Sequence, residues 1–515
     1  MRNFIEIFGV VKYDECSARR VTMLRRIPLR SFLAGLLVLL LAAAAQAQQP
    51  AGGVLALLPP DSVTHHELAV GGRTLATTAT AGTFPLFDEK GERSAALFYT
   101  AYVLDDAPAE TRPVTFVFNG GPGAASAYLQ LGLAGPRAVG PDFARDPARA
   151  QLQDNPDTWL AFTDLVFVDP VGAGWSRAAD PDKAKDFWSE RADAQSLAKV
   201  VALYLARNRR GASPKFLLGE SYGGYRSVML ARTLQREQGV LVNGIVMVSP
   251  FVEGRLMFGA DRFALVAALR LPSLAAAELD RRDAFTPEAL AAAEHFALTD
   301  YLTTLAGRPP EGEAAGAFYA HVAGLTGLPA DVIARSRGFI GDAYLDHAGA
   351  DGAEVASAYD AAFLSPDPFP DSPADDGLDP VLDGYAQALG GLFVGHARDA
   401  LGFKTSLTFN LLDRDIARQW RWQARGIVQA SIERGLRELL ALNPDLDVLV
   451  AHGRSDIVTP YAVSRYLIDH LPPLGREGRV VLELYKGGHM FYFDASARTA
   501  FTADAAAFYS LQGAP

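Results

Sequence analysis

The hydrophobic pattern of the chain changes rhythm twice. From about Glu67 to Leu104, short β-rich runs are broken at Gly71-Gly72 and at Asp88-Glu89-Lys90-Gly91, which predicts antiparallel hairpins. From Val114 the runs become near-continuous: Val114–Phe118, Leu165–Val168, Phe216–Leu218 and Ile245–Val248. Strands that are apolar at every position are covered on both faces, so these four predict a mainly parallel sheet. A helical stretch at about Glu190 to Arg207 falls between the second and third of them, as a crossover connection requires.

After Pro250 the strands stop. Residues 252–440 read as Ala/Leu-rich helical segments, such as Pro287 to Leu305, interrupted by a Pro/Asp-rich stretch from Ser365 to Pro380 that predicts an exposed loop. Strands resume at Val448–Val450 and Val480–Leu484. The simplest account is one α/β sheet with helices on both faces, carried by residues 67–251 and 441–515 and interrupted by a helical insertion, or cap, at 252–440. No internal repeat and no heptad run is evident.

Composition narrows this further. A chain of 515 residues, 49% of them hydrophobic, can bury a large core. Its formal net charge of −11 argues against nucleic acid as the main partner. Arg25, Arg26 and Arg30 precede an apolar run from Phe32 to Ala45, too short to span a bilayer comfortably, and Ala45-Gln46-Ala47 is a small-x-small cleavage pattern. We therefore expect residues 1–47 to hold a signal peptide starting at Met23, with a mature start at Gln48 and a loose linker over 48–66. The rival is an uncleaved N-terminal anchor. Cleavage removes Cys16, the only cysteine, so the exported protein, periplasmic or extracellular, has no disulfide and no stable membrane anchor.

The chemistry is concentrated where strands end. Lys215–Leu218 runs into Gly219-Glu220-Ser221-Tyr222-Gly223-Gly224, a G-x-S-x-G pattern in its strand–turn–helix context. The tight turn lifts the Ser221 hydroxyl above the sheet edge and aims the Tyr222 N–H at the reaction centre. Past Val448 comes Gly453-Arg454-Ser455-Asp456, and past Val480 comes Gly487-Gly488-His489-Met490. The order Ser221, Asp456, His489 is nucleophile, acid, base, the order of an α/β-hydrolase. A serine hydroxyl needs a histidine to take its proton, and that histidine needs a carboxylate to fix its tautomer. The bland readings are that Asp456 caps a turn and that His489 is one ordinary histidine among nine. A fourth strand end carries Asn119-Gly120-Gly121-Pro122-Gly123, a loop able to present a backbone N–H to an oxyanion. No Gly-Lys-Ser/Thr follows it, so a phosphate loop is set aside.

These motifs, with Asp169-Pro170-Val171-Gly172-Ala173-Gly174-Trp175-Ser176, resemble the serine carboxypeptidase family, in family order and over about residues 115 to 495. The resemblance implies release of single residues from peptides with a free C-terminus through an acyl-enzyme. It implies Ser221 as nucleophile, His489 as base, Asp456 as its orienting partner, and Gly121 and Tyr222 as oxyanion donors. Asn119, Gly120 and Glu220 would hold the substrate carboxylate, favouring mildly acidic pH, because two carboxylates share a hydrogen bond only if one is protonated. Three positions depart from the family: Val117 replaces a tryptophan, Ala124 and Ala125 replace a cysteine and a serine, and Leu133 stands where eukaryotic relatives pair an acid with the glutamate. Without that partner, Glu220 is expected nearer its ordinary pKa.

Two rivals remain: an esterase or acyltransferase using the same triad, and a catalytically dead binding protein, disfavoured because every catalytic position is filled. There is no H-E-x-x-H, so no metal is expected, and no cofactor motif is present; His65-His66-Glu67 reads as a solvated segment near the mature N-terminus.

Overall fold

The computed structural model describes residues 53–511 except 342, 350–352, 372–376 and 424. The expected signal peptide and Cys16 lie outside the described residues. Nine strands form the main sheet: β1 Ser62–Val70, β2 Arg73–Phe87, β3 Arg93–Leu104, β4 Val114–Phe118, β5 Asp164–Val168, β6 Lys215–Glu220, β7 Gly244–Val248, β8 Asp447–Gly453 and β9 Val480–Tyr485. Their order across the sheet is β1-β2-β3-β5-β4-β6-β7-β8-β9, with the short strand Arg177–Ala178 added to β3. The first three are antiparallel neighbours and β3 meets β5 antiparallel; every pairing from β5 through β4 to β9 is parallel. This is an α/β-hydrolase sheet, mainly parallel, with an antiparallel edge.

The continuous apolar runs have the expected cause. Phe116, Val166, Leu217, Ile245 and Val448 enter one hydrophobic cluster, and their chain neighbours Val117, Leu165, Leu218, Val246 and Leu449 enter another on the opposite face. Helix α1, Glu190–Arg207, packs Leu197, Val201 and Tyr204 on the first face. Its start is set by Ser189, whose side chain accepts the Ala192 N–H at 3.2 Å, with Glu190 and Asp193 in the first turn. Helix α2, Tyr222–Thr233, lies beside it, while the C-terminal helix Ala495–Leu511 covers the second face with Phe501, Ala505 and Tyr509.

Two stretches depart from the expectation. Residues 48–66 are not all linker, because Ser62–Val70 pairs along its whole length with β2. Its alternation of half-buried and exposed positions is the signature of an edge strand, too polar to stand out in the sequence. Nor is the insertion helical throughout. It holds helices such as Ala264–Arg281, Gly312–Thr326 and Ala388–Asp399, but also an antiparallel pair, Glu354–Ala356 with Leu364–Pro366. Its last part, after Phe403, runs back over the core through bridges Gly174↔Asn410, Ala124↔Leu412, Ser189↔Arg421 and Glu253↔Ser431. Helix Glu433–Leu442 packs on α2 with Leu436, Leu439 and Leu440 in the main cluster, and so belongs to the core layer.

Candidate active site

The turn from β6 into α2 places Ser221 at φ 59°, ψ −125°, a conformation an ordinary residue avoids. Three backbone bonds hold it: Ser221 N–H to Val248 O at 2.9 Å, and the Gly224 and Phe251 N–H groups to Ser221 O at 3.0 and 3.1 Å. Strain of about 1–3 kcal/mol persists where the surroundings over-determine it, and here they do. The flanking glycines are needed for space. A Cβ on Gly223 would lie 2.5 Å from Phe118 O, and one on Gly219 2.5 Å from Ser227 Oγ. Ser221 remains partly exposed, and its hydroxyl is bonded to no other described residue.

The acid and base are brought together at the ends of β8 and β9. His489 Nδ1 lies 2.8 Å from Asp456 Oδ2, and both residues are buried. Asp456 Oδ1 accepts the N–H groups of Val458 and Thr459 at 2.9 and 3.0 Å, and Oδ2 takes the Thr459 hydroxyl at 2.6 Å. These donors place the carboxylate so that Oδ2 accepts from Nδ1, which fixes the Nδ1–H tautomer. Burial pulls the imidazole down, but the Asp456 carboxylate, with Glu220 and Asp379 behind it, carries it above its ordinary value. Ser221 and His489 line one small cavity of about 60 Å³ with Asn119, Gly120, Gly121 and Glu220.

Two backbone donors lie beside Ser221: Gly121 lines the cavity, and Tyr222 is the next residue in the chain. Neither the Gly121 N–H nor the Tyr222 N–H, the first of helix α2, has an acceptor among the described residues. The Gly120–Gly121 loop sits directly on the turn, since a Cβ on Gly120 would fall 2.6 Å from Tyr222 N. A helix N-terminus and a loop amide brought this close together, each without an acceptor, favour negative charge beside them.

On the other side of Ser221, Asn119 Nδ2 donates to Glu220 Oε2, while Asn119 Oδ1 takes the Leu129 N–H at 3.2 Å. The Asn119 carbonyl in turn accepts from Arg226, a fully buried guanidinium paired with Asp193 at 2.7 Å. Glu220 is itself 2% exposed, and Tyr492 Oη donates to both of its oxygens at 2.9 Å. Burial pushes the Glu220 carboxyl up to about 7, against the pull of His489 and of the bonds from Tyr492 and Asn119. The expectation that Glu220 sits near its ordinary value without an acidic partner at Leu133 is thus overturned: desolvation raises it, and the Asp456 charge adds to the push.

Asn119, Gly120, Gly121, Glu220, Ser221 and His489 line the cavity; Asp456 is joined to it through His489, and Tyr222 follows Ser221 in the chain. Sequence reasoning missed Tyr492, Thr459 and the cap residues Tyr359, Leu382 and Leu412 that close the cavity. It also missed Tyr128, whose buried hydroxyl faces the cavity with no partner among the described residues. Only Tyr492 carries a usable signal: a phenol inside the apolar run Phe491-Tyr492-Phe493 must find a partner when buried. Among the described residues, no group of three or more His, Cys, Asp or Glu is arranged to hold a metal ion.

The family model for serine carboxypeptidases matches residues 80–245, which include Asn119, Glu220 and Ser221 but end before Asp456 and His489. Serine carboxypeptidase-like 34 of Arabidopsis thaliana is 26% identical over 146 residues, 28% of this chain and 28% of that protein. Serine carboxypeptidase-like 41 of the same plant is 29% identical over 174 residues, 31% of this chain and 34% of that protein. The chain therefore spans about a third or less of the length of these curated relatives. Among solved structures, the proline iminopeptidase of Mycobacterium smegmatis superposes on 84% of this chain and 98% of its own, with 16% identity and a TM-score of 0.37. At that score the fold assignment rests on the strand order.

Proposed function

Similar to the serine carboxypeptidase family over residues 80–245, this chain is, we propose, a member of it, an enzyme that removes the last residue from peptides with a free C-terminus. One observation carries the substrate side of the reading: the buried Asn119–Glu220 pair beside Ser221, with the carboxyl held near 7. An uncharged carboxyl next to an amide donor can receive a carboxylate, whereas an ordinary ester presents nothing that needs it.

In this mechanism the Ser221 hydroxyl attacks the carbonyl carbon of the final peptide bond while His489 Nε2 takes its proton. Asp456 keeps Nδ1 protonated and stabilises the imidazolium. The Gly121 and Tyr222 N–H groups meet the oxyanion. The imidazolium then returns its proton to the leaving nitrogen, the C–N bond breaks, and the free amino acid departs. Water, deprotonated by His489, hydrolyses the acyl-serine. Asn119, the Gly120 backbone and protonated Glu220 hold the substrate carboxylate throughout. The apolar run Phe32 to Ala45 and the Ala45-Gln46-Ala47 pattern support a second part of the reading, that the enzyme is exported from the cytoplasm. Mature protein recovered from an export fraction should begin at Gln48, and a chain that keeps residues 24–47 would contradict that part.

The test compares an N-blocked dipeptide, its C-terminal amide and a short-chain ester from pH 4 to 8, with Ser221→Ala as control. Fast cleavage of the free acid, weakening as pH rises and lost in the variant, supports the proposal. Turnover of the ester with the acid ignored at every pH would leave the triad but remove the carboxypeptidase.

A further inference from the structure

In this chain Leu133 stands where the resemblance implies an acid, and the side chain that meets both oxygens of Glu220 is the phenol of Tyr492. Leu133 is buried, and beside it Gly132 leaves the space that the Tyr492 ring occupies: a Cβ on Gly132 would sit 2.5 Å from Tyr492 Cε2. The ring is wholly buried between that glycine and the aromatic side chains Phe491 and Phe493. Its hydroxyl stands 2.9 Å from each Glu220 oxygen.

We propose that Tyr492 is a positioning residue for the carboxylate subsite, holding Glu220 by a hydroxyl shared between both of its oxygens and so governing how firmly Glu220 keeps the proton it offers to substrate. The proposal deepens the carboxypeptidase reading and rests on it for the role of Glu220.

The chemistry of a phenol suits this place. It can donate to the ionised carboxylate and accept from the protonated one, so it serves both states of Glu220. A second carboxylate would add negative charge beside an incoming one; a neutral hydroxyl does not. Burial, with Glu220 behind it, holds the phenol well above its ordinary value, so it stays neutral. The charged and titratable groups facing Glu220 are few. His489 approaches from the end of β9 and Asp456 from the end of β8, with Tyr492 just beyond His489 and Tyr128 from the segment after the Gly120 loop. His489 favours the ionised carboxylate and Asp456 opposes it. Among the neutral donors, Tyr492 and Asn119 favour it, and Tyr492 reaches both oxygens.

The sign follows. A donor to the ionised form makes the proton easier to lose, so its removal makes Glu220 hold that proton to higher pH. A hydrogen bond to a charged group corresponds to a shift of about one pH unit or more. The test is infrared difference titration of the carboxyl band in wild type and Tyr492→Phe, with Glu220→Gln identifying the band, beside kcat and KM against pH for an N-blocked dipeptide. In Tyr492→Phe the Glu220 midpoint should rise by about one unit, and the rise of KM with pH should move by the same amount while kcat at its optimum stays within about twofold. An unmoved midpoint overturns the proposal whatever the substrate, because the titration needs none. A midpoint that moves while KM does not follow upholds Tyr492 as the partner of Glu220 and refutes the carboxylate role of Glu220.

Discussion

The His489 N–H donates to the carbonyl of Tyr359 at 2.5 Å, and the Tyr359 ring stands edge-on to the imidazole at 83° with centroids 5.1 Å apart. Tyr359 comes from the insertion, in the turn between its two short strands, so the base is supported by a segment outside the sheet that carries it. The same turn grips the acid loop. Ala361 N–H reaches Ser455 O at 2.9 Å, Ile457 N–H reaches Ala358 O at 3.2 Å, and Ser455 Oγ donates to Asp360 at 2.7 Å. One short stretch therefore fixes the loops of Asp456 and His489 relative to each other.

Tyr359→Ala removes the ring but leaves the carbonyl that holds His489. An edge-to-face aromatic contact contributes about 0.5–1.5 kcal/mol. If that contact orients the imidazole, kcat on a peptide substrate should fall about three- to tenfold with little change in melting temperature. An unchanged kcat would mean that Asp456 alone orients the base.

Asp456 and Thr459 should separate cleanly. Asp456→Asn offers an N–H where Nδ1–H needs an acceptor, so the wrong tautomer is favoured and kcat should drop by about 10⁴, the size seen when the same change is made in the serine protease triad. Thr459→Val removes a hydroxyl that meets Asp456 Oδ2 at 2.6 Å, Ser249 O at 3.0 Å and His489 Nδ1 at 3.2 Å, and leaves both backbone donors on Oδ1. Its loss should stay within about tenfold. Equal losses in the two variants would show that the hydroxyl, not the carboxylate, sets the histidine.

Much of this site is legible in the sequence for a physical reason. Ser221, Asp456, His489 and Asn119 each follow an apolar run, and the ends of parallel strands converge on one edge of the sheet. What is not legible depends on chain-distant packing. Tyr359, Leu382 and Leu412 reach the cavity from an insertion whose local pattern says nothing about what it covers. Leu133 misleads for the opposite reason. The leucine at that position is visible, but the burial that raises Glu220 and the phenol that meets it are properties of the folded chain. β1 is hidden because an edge strand half in solvent carries too few apolar residues to announce itself.

The Gly120 loop gives a steric prediction. A Cβ at Gly120 would fall 2.6 Å from Tyr222 N and 2.7 Å from Glu220 O, both backbone atoms that cannot turn aside. Gly120→Ala must push the loop off the nucleophile turn, displacing the Gly121 donor, and should cost about 10² or more in kcat. Gly391 lies in helix Ala388–Asp399 with nothing within 4 Å of its added Cβ. Gly391→Ala should keep activity and gain about 0.5–1 kcal/mol of stability. Normal activity in Gly120→Ala would remove this loop from the oxyanion site.

Asp169 links stability to pH. It is 1% exposed, and burial pushes its carboxyl up to about 6 although Oδ1 accepts the backbone N–H and the hydroxyl of Ser126 at 2.8 Å. A carboxyl raised above its unfolded value of about 3.9 stabilises the fold while protonated, and that contribution is lost as pH rises through about 6. Asp169→Asn keeps an acceptor for Ser126 and cannot ionise. Its melting temperature relative to wild type should therefore rise between pH 4 and pH 8, by the equivalent of about 2–3 kcal/mol. A difference that stays flat with pH would mean Asp169 is ionised in the fold throughout.

Glu220 sets the pH dependence of substrate binding in the opposite sense to the base. With its carboxyl near 7, Glu220 is mostly protonated below neutrality and can donate to a substrate carboxylate; above that pH, two negative charges would meet in a dry pocket. For a peptide with a free C-terminus, KM should be flat below about pH 6 and rise toward tenfold per unit above about 7. His489 acts on the other limb. Held above its ordinary value, it must lose its proton to act as base, so kcat falls as pH is lowered. Glu220→Gln keeps a donor that cannot ionise, so its KM should lose the alkaline rise and cross that of wild type near pH 8, while kcat keeps its acid limb. The C-terminal amide of the same peptide carries no charge, and its KM should show no alkaline rise with either enzyme. If wild-type KM for the free acid is flat from pH 5 to 8, the carboxylate is held by neutral donors alone, and Glu220 serves to anchor Asn119 instead.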